Sequence, residues 1–189
     1  MADGWTIGAW VAAGVRQPLR TRLGHVHDRA LAVTALRAGI DLASTRVVAV
    51  RYTVDVVPLV VATRNPEYAV GGTCALADCP RWYLREFESR RTAYAFGLAP
   101  IGFEAEWFPR SRIALTTSVS GGGLYFDRRI PDPDATRFNF SADGAAGVRV
   151  RAAGTSVSGG VRWYHISNGF TGSVNPTMDS RLFWVGITR

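Results

Sequence analysis

The stretch Val48-Ala49-Val50-Arg51-Tyr52-Thr53-Val54-Asp55-Val56 decides how this chain folds. Val48, Val50, Tyr52, Val54 and Val56 fall on one parity, and Pro58 continues it; Ala49, Arg51, Thr53 and Asp55 fall on the other. Successive side chains of a strand point to opposite faces. Strict alternation of this length therefore reads as a β-strand with one apolar face and one small or charged face.

The same period recurs on both sides. Towards the N-terminus, Trp5, Ile7, Ala9, Val11, Ala13 and Val15 alternate with Thr6, Gly8, Trp10, Ala12 and Gly14. Residues 29–42 set Ala32, Thr34, Leu36, Ala38, Ile40 and Leu42 against a face holding Arg37 and Asp41. Beyond the third strand, residues 65–91 break the pattern and read as a long loop with one helical turn. Alternation resumes over 92–108 with a change of parity at Pro100. Tyr94, Phe96 and Leu98 are the large apolar set before it, and Ile101, Phe103, Ala105 and Trp107 after it. A proline with a flip of face is the mark of a β-bulge.

A turn at Pro109-Arg110-Ser111 leads to a fifth strand of Ile113, Leu115, Thr117 and Val119, which Gly121-Gly122-Gly123 closes. A second long loop passes through Pro131-Asp132-Pro133. A sixth strand puts Phe138, Phe140, Ala142, Ala146 and Val148 opposite Arg137, Asn139, Ser141, Asp143 and Arg149. Residues 156–166 form a seventh, and an eighth closes the chain. Eight long amphipathic strands with alternately short and long connections fit one all-β domain over residues 1–189, closed as an eight-stranded antiparallel barrel that leaves no exposed edge.

Alternation does not say which face is inside. A soluble lipocalin-like barrel turns its apolar face inward, and a transmembrane barrel turns it outward. The strands are long, and the polar face mixes small residues with opposed charges (Arg51, Asp55, Glu104, Arg149) that can pair within a narrow barrel. These features favour a transmembrane barrel over a soluble one. Composition agrees: mean hydropathy is +0.03, and no apolar run approaches the ~18 residues of a membrane helix.

The 189 residues carry a formal charge of +7, and every basic residue among the 22 is arginine. Such a balance suits an anionic partner. The arginines are spread along the chain without a recognition helix or binding motif, which argues against nucleic acid. Cys74 and Cys79 share one short loop, where a disulfide suits an oxidising compartment; a reduced pair or a two-thiolate metal clip are the alternatives. His25 and His27 lack a third ligand, so a solvated loop is expected there and no metal. Met1-Ala2-Asp3-Gly4-Trp5 runs straight into a strand without the basic and apolar stretches of an export signal. The chain therefore reads as a mature form with an added Met, or as one started at the wrong codon.

The chemistry gathers in Trp163-Tyr164-His165-Ile166-Ser167-Asn168-Gly169 and in Asp179. His165 and Ser167 are two apart and share a strand face. A hairpin pivoting near Gly172 sets Asp179 opposite His165. Serine is a weak nucleophile until an imidazole takes its proton, and the imidazole needs an acceptor to fix its tautomer. Asn168 and Gly169 would supply an amide donor and flexible backbone for an oxyanion hole. The triad falls on the apolar face with Trp163, Val157 and Val161, and Arg181 beside it would either hold a lipid phosphate or stand as an interfacial arginine at the strand's rim.

These residues also resemble a known family. The block His165-Ile166-Ser167-Asn168-Gly169, then Asn175-Pro176 and Asp179-Ser180, is similar to the PagL-type lipid A 3-O-deacylases and their acyloxyacyl-hydrolase-like relatives. Phe96-Gly97-Leu98-Ala99-Pro100-Ile101-Gly102-Phe103-Glu104 and Phe138-Asn139-Phe140 look like the same family. The resemblance implies an outer-membrane barrel with Ser167 as nucleophile, His165 as base, Asp179 as orienting acid and Asn168 as oxyanion contributor. Two departures stand out: Asp179 where the best-known members carry Glu, and Thr177 where many relatives have Gly after the Pro.

The expected activity is hydrolysis of an ester-linked acyl chain on lipid A or a similar glycolipid, without metal or cofactor, with Trp163 and Arg181 contacting substrate. A non-catalytic outer-membrane barrel and a soluble lipid-binding barrel are the alternatives. Oligomeric state is left open between monomer and homodimer.

Overall fold

The computed structural model describes residues 4–14, 29–64, 67–73, 81–88, 92–130, 135–172, 175 and 177–189. The strands are β1 (Trp5–Gly14), β2 (Arg29–Ser44), β3 (Val48–Arg64), β4 (Glu67–Thr73), β5 (Arg81–Glu88), β6 (Thr92–Trp107), β7 (Ile113–Phe126), β8 (Phe138–Ala152), β9 (Thr155–Ser167) and β10 (Thr177–Thr188). Eight close into an antiparallel barrel in the order β1-β10-β9-β8-β7-β6-β3-β2, and β4 pairs with β5 in a separate two-stranded sheet. Closure pairs β1 with β10 from Gly8↔Thr188 to Ala13↔Phe183.

Three corrections to the sequence reading follow. The segment expected as a loop with a helical turn contains the β4–β5 hairpin. The fifth barrel strand runs through Gly121, Gly122 and Gly123 instead of ending there. A second bulge lies at Pro58, where β3 puts an extra residue into its pairing with β2 and with β6. The bulge at Pro100 stands as expected: Leu98 to Ile101 on β6 spans only Gly123 to Gly121 on β7. Cys74, Cys79, His25 and His27 lie outside the described residues.

The apolar parity faces out. Ile7, Val11, Leu36, Val56, Phe96, Ile101, Phe103, Val119, Val161 and Phe183 are all exposed on the wall, while Thr53, Asp55, Glu104, Glu106, Asp143, Arg149 and Arg162 are buried inside. An apolar exterior around a charged interior is the arrangement of a transmembrane barrel. The soluble alternative is thereby excluded.

The interior has two storeys. In the half nearer the short turns, arginines neutralise carboxylates across the lumen. Arg37 reaches both Asp55 oxygens at 2.7 Å. Glu104 accepts from Arg37 at 3.2 Å, Arg51 at 3.0 Å and Arg149 at 2.8 Å, which ties β2, β3 and β8 to β6. Above this network Arg162 bonds Asp143, and its guanidinium carbon lies 4.0 Å from the Trp10 ring centroid and 5.6 Å from that of Trp184. Nearer the long connections the interior becomes apolar, filled by Leu31, Val33, Val60, Leu124, Phe126, Ile130, Ile166 and Met178.

Short turns at residues 45–47, 108–112 and 153–154 lie at one end together with both chain ends of the barrel. The strand ends at Gly14, Arg29, Arg64, Thr92, Phe126, Phe138, Ser167 and Thr177, which the long connections join, lie at the other. Ala153 (φ 48°) and Gly154 (φ 77°) both adopt positive φ, as a two-residue type I′ hairpin requires. That turn fixes the β8–β9 register and so decides what faces the candidate nucleophile.

Candidate active site

His165 and Asp179 are register partners on β9 and β10, and His165 Nδ1 lies 2.9 Å from Asp179 Oδ1. The side chains are 28% and 12% exposed, on the outward face of the barrel wall. A donor on Nδ1 satisfied by a carboxylate leaves Nε2 as the nitrogen able to take a proton. Trp163, two residues back on the same face, stacks on the imidazole with ring centroids 5.7 Å apart and planes at 23°. A flat indole there restrains the ring's rotation.

Ser167 is the last residue of β9 and pairs with Thr177 on one side and Phe140 on the other. It is half-buried on the same face as His165, about 7 Å along the strand. Among the described residues no hydrogen bond joins the two side chains. Catalytic contacts of this kind are often loose without substrate.

Asn168 and Gly169 form the turn that ends β9. Asn168 is fully buried, on the opposite side of the chain from Ser167. Its Oδ1 accepts from Phe170 N–H at 3.1 Å, and its carbonyl accepts from Thr171 N–H at 3.1 Å and Thr171 Oγ1 at 2.7 Å. The side-chain oxygen of Asn168 thus serves the turn. Gly169 has φ +60°, and a Cβ there would lie 2.9 Å from the Phe140 ring. Asn175, farther along the loop, keeps Oδ1 buried without a hydrogen bond among the described residues.

Arg181 pairs with Trp163 one step nearer the short turns than the His165–Asp179 row. It is exposed and has no carboxylate partner among the described residues. The rows continue onto β8 and β7: Gly121–Ala142–His165 and Val119–Gly144–Trp163. Gly144 in front of the indole leaves a shallow lipid-facing groove of about 520 Å³, walled by Phe103 and Val119 on one side and Val161 and Trp163 on the other.

Sequence reasoning brought His165, Asp179, Trp163 and Arg181 together and missed Phe140, Ala142 and Gly144 as the opposing wall. The signal was present in the tight turn at residues 153–154, which sets their pairing with β9.

Comparisons with known proteins bear on the fold and the family. No curated protein sequence matches the chain. A solved structure described as the outer membrane enzyme PagL matches with a TM-score of 0.62 at 15% identity, over 95% of this chain and 97% of that one. This likeness places the fold among outer-membrane barrels. The family model described as lipid A 3-O-deacylase (PagL) matches residues 64–188, which include the whole His165–Ser167–Asp179 constellation. The chain belongs to the PagL family.

Proposed function

We propose that the protein is an outer-membrane esterase that removes an ester-linked acyl chain from lipid A, with Ser167, His165 and Asp179 as its triad. Ser167 Oγ attacks the ester carbonyl as His165 Nε2 takes its proton. The tetrahedral intermediate collapses, and the same proton passes to the departing sugar alkoxide. Water, deprotonated by His165, then attacks the acyl-serine and releases the fatty acid. Asp179 keeps Nδ1 protonated and balances the charge of the imidazolium. A backbone N–H of the Asn168–Gly169 turn is the oxyanion donor in this scheme, since the Asn168 side chain is buried on the opposite side of the chain from Ser167. Trp163 contacts the acyl chain, and Arg181 binds a lipid A phosphate.

The observation that carries the reading is the 2.9 Å contact between His165 and Asp179 on the lipid-facing wall, at the end bearing the long connections. In bacterial barrels that end is extracellular, so the pair opens towards the outer leaflet. Membership of the lipid A 3-O-deacylase family supports the substrate class.

The test is lipid A incubated with the purified protein in detergent micelles and analysed by mass spectrometry. The wild-type chain is expected to release one ester-linked fatty acid. Ser167→Ala is expected to lower kcat by about 10³-fold or more with the barrel intact. Undiminished turnover by Ser167→Ala would show that another group is the nucleophile.

A further inference from the structure

At the end opposite the candidate triad, three arginines meet an apolar groove that the esterase reading leaves unused. The turn at residues 45–47 is joined to the turn at 108–112 by a hydrogen bond from Phe108 N–H to the Val47 carbonyl, 2.7 Å. Arg151 ties in the next strand: its N–H donates to the Arg112 carbonyl at 2.9 Å, and its Nη1 to the Ser111 carbonyl at 2.6 Å. Arg46, Arg110 and Arg112 therefore stand along one arc of rim. All three are exposed and without a carboxylate partner among the described residues. The carboxylates nearest this arc are already engaged, Asp41 by Arg51 and Glu106 by Arg149 and Arg151.

Directly on the membrane side of this arc lies a groove of about 590 Å³, lined by Trp107, Phe108, Leu115, Val148, Gly159 and Val161. It opens on the outer wall. Phe108, with φ 60°, presents its ring to the exterior beside Arg110 and is 53% exposed. Cationic side chains at a rim above an apolar groove match the two halves of one molecule: an anionic headgroup and an acyl chain.

We propose that this rim and groove form a binding site for an anionic glycerophospholipid of the periplasmic leaflet. Its phosphate sits among Arg46, Arg110 and Arg112, and one acyl chain lies against Trp107, Leu115 and Val148. The inference rests on the orientation of the barrel, short turns towards the periplasm, and holds whether or not Ser167 is a nucleophile. The lipid is a bound neighbour, chemically unchanged.

Native mass spectrometry of the full chain, released from mixed micelles of phosphatidylglycerol and phosphatidylcholine, tests it. Phosphatidylglycerol should be retained over phosphatidylcholine by about tenfold or more. Arg110→Gln/Arg112→Gln should bring the two lipids close to equal. Val148→Trp, which fills the groove, should lower retention of both, and Arg128→Gln/Arg137→Gln at the opposite rim should leave the preference as it was. Equal retention by the wild-type chain, a preference that survives Arg110→Gln/Arg112→Gln, or loss in the opposite-rim variant would each overturn the proposal. So would added lipid A displacing phosphatidylglycerol from these arginines.

Discussion

His165 and Asp179 face each other across the β9–β10 pair, with Nδ1 2.9 Å from Oδ1. Two strands paired at adjacent positions hold the imidazole and its acid, so their separation is set by the ladder and not by a flexible loop. A ladder spacing suits a short acid, which explains how Asp reaches where relatives carry the longer Glu.

Asp179→Asn should therefore reduce ester turnover by about 10²–10⁴-fold, because an amide can donate to Nδ1 and select the wrong tautomer. The loss should be no greater than that in Ser167→Ala. Asp179→Glu should stay within about tenfold of wild type, since rotation about one extra bond keeps the carboxylate on Nδ1. Turnover of one ester substrate by the three variants in the same micelles provides the comparison.

Gly169→Ala should impair the site without opening the barrel. A left-handed backbone costs a non-glycine residue about 1–2 kcal/mol, and the new Cβ would meet the Phe140 ring at 2.9 Å. Phe140 is the register partner of Ser167, so relief of the clash disturbs the wall opposite the candidate nucleophile. A fall in kcat with unchanged gel mobility of the folded barrel is the expected outcome.

Much of this was legible in the residues. The period of two over Val48 to Val56 held, as did the parity change at Pro100, and the hairpin pivot near Gly172 correctly put His165 against Asp179. Two kinds of feature escaped. Near the long connections both faces of the strands are apolar, because Leu31, Val33, Val60 and Leu124 fill the lumen there; alternation is blurred, and the bulge at Pro58 went unread. The glycines at 121–123 resemble a strand end, but their reason lies on another strand. A Cβ on Gly122 would approach the Leu98 carbonyl oxygen at 2.0 Å and Ala99 Cα at 2.5 Å, on the strand beside the β6 bulge. The inward turn of the Asn168 side chain has a related cause, the strand parity at the end of β9.

Gly122→Ala should accordingly destabilise the barrel by at least about 1–3 kcal/mol, the usual scale of forced overpacking. Gly144→Ala is the matched control, because its nearest neighbour would be the Ser118 carbonyl oxygen at 4.0 Å. Urea unfolding in detergent should separate the two.

Arg162→Met should cost about 3–5 kcal/mol, because it strands the buried Asp143 carboxylate. Adding Asp143→Leu should recover most of that loss, as replacing both members of a buried pair by apolar groups commonly does. Recovery would be read as a return of the unfolding midpoint in the double variant.

The outward placement of the candidate triad has a kinetic consequence. A site on the barrel wall samples its substrate in two dimensions, so its rate follows the mole fraction of ester in the surrounding film and not the bulk concentration. Diluting the ester with inert detergent at constant total substrate should slow turnover in proportion. Packing the film more tightly should limit how quickly a spent molecule is exchanged for a fresh one. For such an enzyme the membrane is the solvent, and its composition takes the place of a Michaelis concentration.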